Sequence, residues 1–180
     1  MLRPSLESAP SPGGQSQPVV DNLWPEQCRA VIVGVNPAPR SVEAGHYYQG
    51  SDGRRAMSRL RAAGLLPPAG GGFTDDEAVA AGIGFTDVVK RPTRRSTDLA
   101  GPELKEGRAR LRAELAARRV PLVVCVFKPA VEALLGRAAA PGFQSEAFAG
   151  SRVFRMPGPY APTADAARVM QELAEHLSGR

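Results

Sequence analysis

The sequence predicts a three-layer α/β/α sandwich around a short central parallel sheet. Two short, continuous apolar runs heavy in valine, "AVIVGV" (30–35) and "VPLVVCVF" (120–127), have the pattern of strands buried on both faces of a parallel sheet. Between them, "ELKEGRARLRAELAARR" places Leu104, Leu111 and Leu115 on one helical face and arginines elsewhere. Strands alternate with helices along the chain, and right-handed crossovers then bring the strand tips to one edge.

Taken in order, residues 1–18, "MLRPSLESAPSPGGQSQP", are rich in Pro, Ser and Gly and read as a disordered tail. Residues 19–180 read as a single domain, an ordinary size for one hydrophobic core. A strand at 30–35 is followed by a weaker helix around Met57, Leu60 and Leu65 that ends near Gly64. "GIGFTDVV" (82–89) reads as a strand broken at Gly84, and "SRVFRM" (151–156) as another short strand. The last helix begins near Thr163, expected as its N-cap, with Asp165 in the first turn. Its apolar positions Ala166, Val169, Met170, Leu173 and Leu177 share a face.

Composition narrows the function. The net charge is +5, and of 23 basic residues only Lys90, Lys105 and Lys128 are lysines. An arginine excess suits phosphate recognition, because the guanidinium fork pairs with two phosphate oxygens at once. No stretch approaches the roughly 20 apolar residues that cross a bilayer, and no secretory signal opens the chain, so no membrane partner is expected. Cys28 and Cys125 have no metal-ligand spacing and read as small core residues in a reducing, cytoplasmic setting. No ligand cluster implies a metal or an organic cofactor. A G-x-S-x-G elbow is absent and histidine is scarce, which argues against an unrelated α/β hydrolase.

Three loops follow predicted strands: "NPAPRSVEAGHYYQG" (36–50), "DVVKRPTRRSTD" (87–98) and "PGPYAPTAD" (157–165). Strand tips are where α/β proteins bind ligands. The first loop lacks a phosphate-cradling glycine motif but offers an amide, a stiff N-P-A-P turn and two adjacent tyrosines. The second sets a carboxylate beside a dense basic run, and the third enters a helix amino terminus. Asn36 is either a turn-former or a functional group aimed into a crevice.

The segment "GVNPAPRSVEAGHYYQG" resembles the first motif of the mismatch-specific uracil-DNA and thymine-DNA glycosylases, within the uracil-DNA glycosylase superfamily. "GIGFTDVVKRPTRRSTDL" with "ELKEGRARL", and "PLVVCVFKPAVEALLG", are similar to later family blocks in the same order, so the resemblance spans about residues 20–178. It implies a uracil-DNA glycosylase-like fold and a monofunctional enzyme that flips a uracil, or a related deaminated or mismatched base, out of DNA and hydrolyses its N-glycosidic bond. The implied partner is DNA, single-stranded DNA included, and the implied state a monomer. Alternatives are a catalytically weak nucleic-acid-binding protein on the same fold and the unrelated hydrolase.

By position, Asn36 would orient the attacking water, and base loss through an oxocarbenium-like state is compatible with a neutral amide there. Tyr48, or Tyr47 one residue away, would stack on the flipped base. Gly34, Val35 and Lys128 would help to bind it. Asp87 is a candidate second or even principal catalytic group, its alternative being a turn cap or an ion pair with Lys90 or Arg91. Lys90, Arg91, Arg94 and Arg95 would meet phosphates. The third loop departs most from the family's N-P-S-G-L-S, leaving Tyr160 or Pro162 to act as the wedge.

Overall fold

The computed structural model describes residues 19–179; the expected tail at 1–18 lies outside them. The strands are β1 (Ala30–Gly34), β2 (Ile83–Asp87), β3 (Leu122–Cys125), β4 (Gly142–Phe143) and β5 (Arg152–Arg155), and the helices α1 (Pro39–Ala44), α2 (Ser51–Ala62), α3 (Thr74–Ala80), α4 (Gly101–Arg118), α5 (Lys128–Leu135) and α6 (Thr163–Leu177). They form one sheet in the order β2-β1-β3-β5-β4, parallel except for β4, a two-residue antiparallel edge.

Side chains on a strand alternate between faces, and the apolar runs divide accordingly. Ala30, Ile32, Ile83 and Phe85 point to a layer built by Met57 and Leu60 of α2, Ala78 of α3 and Val169, Met170 and Leu173 of α6. Val31, Val33, Val123 and Cys125 point the other way, onto Leu111 and Leu115 of α4 and Val131 and Leu134 of α5. The three-layer sandwich and the leucine face of α4 therefore stand as expected.

Two local expectations are corrected. Gly84 does not break its strand: β2 runs through it, paired with Val31. A Cβ there would come within 2.9 Å of the Leu23 carbonyl and 3.3 Å of the Trp24 ring, so glycine is what admits the 23–24 segment against the sheet. Thr163 is the first residue of α6, behind an N-cap at Pro162 that makes no side-chain cap. The helix relies instead on its buried apolar stripe.

The topology creates a crevice. From β1 the chain leaves toward the α2 layer, whereas from β3 it leaves toward α5. The loops at the carboxyl ends of these neighbouring strands therefore diverge, the situation in which open α/β sheets bind ligands. Helix α4 closes the opposite flank of β2. Gly107 packs directly on the Val88 backbone, and a Cβ would overlap its carbonyl. Arg110 donates from Nη2 to the Asp87 and Val88 carbonyls at 2.7 and 3.2 Å.

Gly107→Ala is expected to destabilise the domain by about 1–3 kcal/mol, as overpacked contacts do, read as a lower urea midpoint. An unchanged midpoint would contradict this packing of α4 on the end of β2.

Candidate active site

At the carboxyl edge of the sheet lies a cavity of about 350 Å³, lined by Gly34–Ala38 from the end of β1, Tyr47, Tyr48 and the start of α2, Asp87 from the end of β2, Arg94 and Phe127. Period-two alternation puts Asp87 on the same face as Ile83 and Phe85, pointing into the α2 layer. In register its partner is Gly34. The missing side chain at 34 makes room for the carboxylate, because a Cβ there would collide with Asp87 Oδ1 and lie 3.2 Å from the Tyr48 hydroxyl.

Asp87 is buried, at 2% exposure, and Oδ2 has no hydrogen-bond partner. Desolvation raises its pKa from 3.8 to about 6, with Lys90 and Arg110 pulling the other way. A carboxylate in this setting is ionised at neutral pH yet poorly solvated, a combination common at catalytic positions.

Asn36 faces the same cavity with its amide nitrogen committed. Nδ2 donates to the Arg91 carbonyl at 3.0 Å and to Thr93 Oγ1 at 2.8 Å. These bonds tie the first loop to the second and leave the side-chain carbonyl oxygen as the amide's remaining functional group.

The tyrosines are placed by a buried clamp. His46 Nδ1 lies 2.8 Å from Asp75 Oδ1, the Tyr47 amide donates to Asp75 Oδ2 at 3.0 Å, and the His46 ring stacks on Phe73 with centroids 3.5 Å apart. His46, Asp75 and Asp76 make up the group with metal-ligand geometry found among the described residues. Asp75 already receives both of these bonds and the Asp76 amide, so the cluster serves as an anchor for the loop.

Tyr47 is buried, with its hydroxyl donating to the Asp21 carbonyl at 3.2 Å and accepting from Lys90 Nζ at 3.2 Å. Tyr48 adopts a left-handed backbone (φ 57°), and α2 approaches it closely at Gly53, where a Cβ would lie 2.8–2.9 Å from Tyr48 atoms. Its buried hydroxyl has no partner.

The basic run 90–95 divides into separate duties. Lys90 turns inward to the Val20 carbonyl and Tyr47, and desolvation lowers its pKa to about 8. Arg91 forms a two-point pair with Glu103 at 2.8 and 2.9 Å, and Glu103 also accepts from the Ala100 amide at the start of α4. Arg94 lines the cavity, and exposed Arg95 lies 3.3 Å from Asp98. Lys128, the first residue of α5, is exposed beside Glu132 at 3.6 Å and does not line the cavity.

The third loop is fastened to α2. Arg59 donates to the Gly158 carbonyl at 2.9 Å and Arg55 to that of Pro159 at 3.2 Å. Tyr160 is 80% exposed, its hydroxyl 3.3 Å from the cavity-lining Asp52 and its ring near the Arg55 guanidinium. Pro162 is exposed at the start of α6.

Of the residues expected at the site, Gly34, Val35, Asn36, Tyr47, Tyr48, Asp87 and Arg94 line one cavity, and Tyr160 reaches its rim. Phe127 and Asp52 escaped the sequence reading. Phe127 reads as the end of a strand, and the only signal of its role is that it follows β3 immediately before a Lys-Pro helix start.

The shape defines a class first: an α/β protein whose largely parallel sheet carries, at its topological switch point, a mostly apolar cavity with a few polar groups. A family profile for the uracil DNA glycosylase superfamily matches residues 22–173, and the chain belongs to that superfamily, whose members are generally DNA glycosylases. Comparison with curated proteins returns no match.

Removing the buried charge should stabilise the fold. Asp87 carries a folded pKa near 6 against an ordinary 3.8, so the cost of burying the anion is fully present above pH 6 and vanishes as pH falls below about 4. Asp87→Asn is expected to be more stable than the parent at pH 8, by up to about 3 kcal/mol at ~1.4 kcal/mol per pKa unit, and equally stable at pH 3. Urea unfolding at both values checks this, and a less stable variant at pH 8 would contradict it.

Proposed function

We propose that the chain is a monofunctional DNA glycosylase of the mismatch-specific type, acting as a monomer on uracil or a related deaminated or mismatched base. The observation that carries the reading is the buried carboxylate of Asp87 in the cavity that also receives Asn36, at the carboxyl edge where open α/β sheets bind ligands.

A base within a duplex is inaccessible, so it must be extruded into a pocket that holds one nucleotide. The cavity suits that load. Its aromatic walls, Tyr48 and Phe127, offer π faces, and centroids 6.5 Å apart mark them as neighbours. As the glycosidic bond breaks, positive charge develops on the sugar. Asp87 supplies a fixed negative charge where few solvent dipoles compete, which strengthens its effect on the transition state. The Asn36 carbonyl oxygen accepts a proton of the attacking water and aims its lone pair at C1′.

Exposed Arg54, Arg55, Arg94 and Arg95 and Lys128 supply the electrostatic attraction to phosphates. Such contacts position DNA without reading sequence. Of the other two cations expected at phosphates, Lys90 turns inward to the Val20 carbonyl and Tyr47, whereas Arg91 is exposed and paired with Glu103. Tyr160, docked at the rim, is the element placed to enter a gap left by a flipped base, with Pro162 behind it.

The test is a single-turnover assay on oligonucleotides bearing one uracil in single strands, G·U and A·U contexts, with alkali cleavage of abasic sites. Excision is expected, and Asn36→Ala and Asp87→Ala should each lower it by about 100-fold or more, in the range of lost transition-state contacts, with DNA affinity retained. With no leucine in the third loop, A·U should be the slowest context by about tenfold, as for ~1.4 kcal/mol of unmet unstacking cost. DNA binding without excision in any context would replace this reading with that of a binding protein on the same fold.

A further inference from the structure

The amide of Asn36 is held at both of its protons. Nδ2 donates to the Arg91 carbonyl at 3.0 Å and to Thr93 Oγ1 at 2.8 Å. An amide nitrogen carries two donors and no acceptor, so this end of the side chain is saturated. Thr93 is committed in turn, because its hydroxyl donates to the Arg95 carbonyl at 2.7 Å. With its one proton used there, Oγ1 can only accept from Asn36. The Arg91 carbonyl is likewise an acceptor alone. The opposite amide orientation would turn the Asn36 carbonyl oxygen toward these two oxygens, and neither could satisfy it. The carbonyl oxygen is therefore the end left for the cavity, and it has no hydrogen-bond partner among the described residues.

One such bond would fix only where the nitrogen sits. Two bonds, to acceptors carried by one loop, also fix the plane of the amide and with it the position of the carbonyl oxygen. The loop is built to hold those acceptors still. Pro92 lies between Arg91 and Thr93, and its ring locks one of the intervening backbone angles. The Arg91 guanidinium is anchored to Glu103 at 2.8 and 2.9 Å and to the Asp98 carbonyl at 3.1 Å.

We propose that Thr93 is a positioning residue for Asn36: its hydroxyl, pinned by the Arg95 carbonyl, sets the amide with its carbonyl oxygen toward the cavity. The inference rests on the glycosylase reading above, in which that oxygen accepts a proton of the attacking water, and deepens it. Thr93 does not line the cavity, so its effect on the reaction passes through Asn36. Such an effect falls on the chemical step rather than on binding, since a group misplaced by about 1 Å can lose on the order of 100-fold in rate.

The experiment compares the parent, Thr93→Val and Thr93→Ser. Valine keeps the shape of threonine and removes the hydroxyl, whereas serine keeps the hydroxyl. Three quantities are read: single-turnover excision of uracil from a single-stranded oligonucleotide, affinity for the abasic product strand, and ¹⁵N relaxation of the Asn36 side-chain amide in the free proteins. Thr93→Val is expected to lose about tenfold or more in rate with affinity unchanged, and its Asn36 amide should show a lower order parameter. Thr93→Ser should stay close to the parent in all three. If the parent excises uracil and Thr93→Val matches its rate, the positioning role is overturned while the glycosylase reading stands. The same holds if Thr93→Val is slow with an amide as ordered as the parent's, or if Thr93→Ser is equally slow. If the parent excises nothing, the glycosylase reading falls and the amide alone decides. An Asn36 amide loosened in Thr93→Val and not in Thr93→Ser then upholds the hold on Asn36, and any other pattern overturns it.

Discussion

The structure depends on one packing relation, the carboxylate of Asp87 lying over the bare backbone of Gly34 in the neighbouring strand. A parallel sheet buried on both faces has no natural place for an ionised group, since burying an unpaired charge is costly. The chain moderates that cost without cancelling it. Arg110 reaches from α4 to the Asp87 and Val88 carbonyls, and Lys90 contributes positive charge from behind Tyr47. Neither forms an ion pair with the carboxylate itself among the described residues, so the charge stays available to whatever enters the cavity.

The surrounding architecture serves that arrangement. The His46–Asp75 clamp delivers the two tyrosines, the Asn36 amide joins the first loop to the second, and the Arg91–Glu103 pair fixes the second loop to the start of α4. These are polar ties between loops, which the apolar core cannot position by itself. On the α2 side, Arg55 and Arg59 hold the third loop by its carbonyls. Arginines that suggest phosphate contacts by composition thus divide between scaffold and surface, and the net charge overstates the number free of protein partners.

Much of the fold was legible because it follows from local pattern. The valine-rich runs became β1 and β3, and Leu111 and Leu115 became the buried face of α4. The elements that escaped are short or begin unusually. Helix α3 has seven residues with three acids in its first turn, and α5 opens on Lys-Pro directly after a strand. Gly34, Asn36 and Tyr48, singled out by motif position, and Asp87, singled out as a carboxylate at a strand tip, line one cavity. The inward turn of Lys90 was not legible, because "KRPTRR" looks the same whether its first cation meets water or a buried phenol. The role of Gly84 was equally hidden, since close approach by residues 23–24 is a tertiary fact.

The central claim is that β1 and β2 hold a desolvated carboxylate in the floor of the crevice. Its most direct test is titration of the Asp87 carboxyl carbon in the free protein by ¹³C NMR. A midpoint near 6, falling toward ordinary aspartate values when a Gly34→Ala substitution pushes the group out toward water, is the result this account predicts. A midpoint at or below 4 in the parent would mean that Asp87 is solvated or paired, and would contradict it.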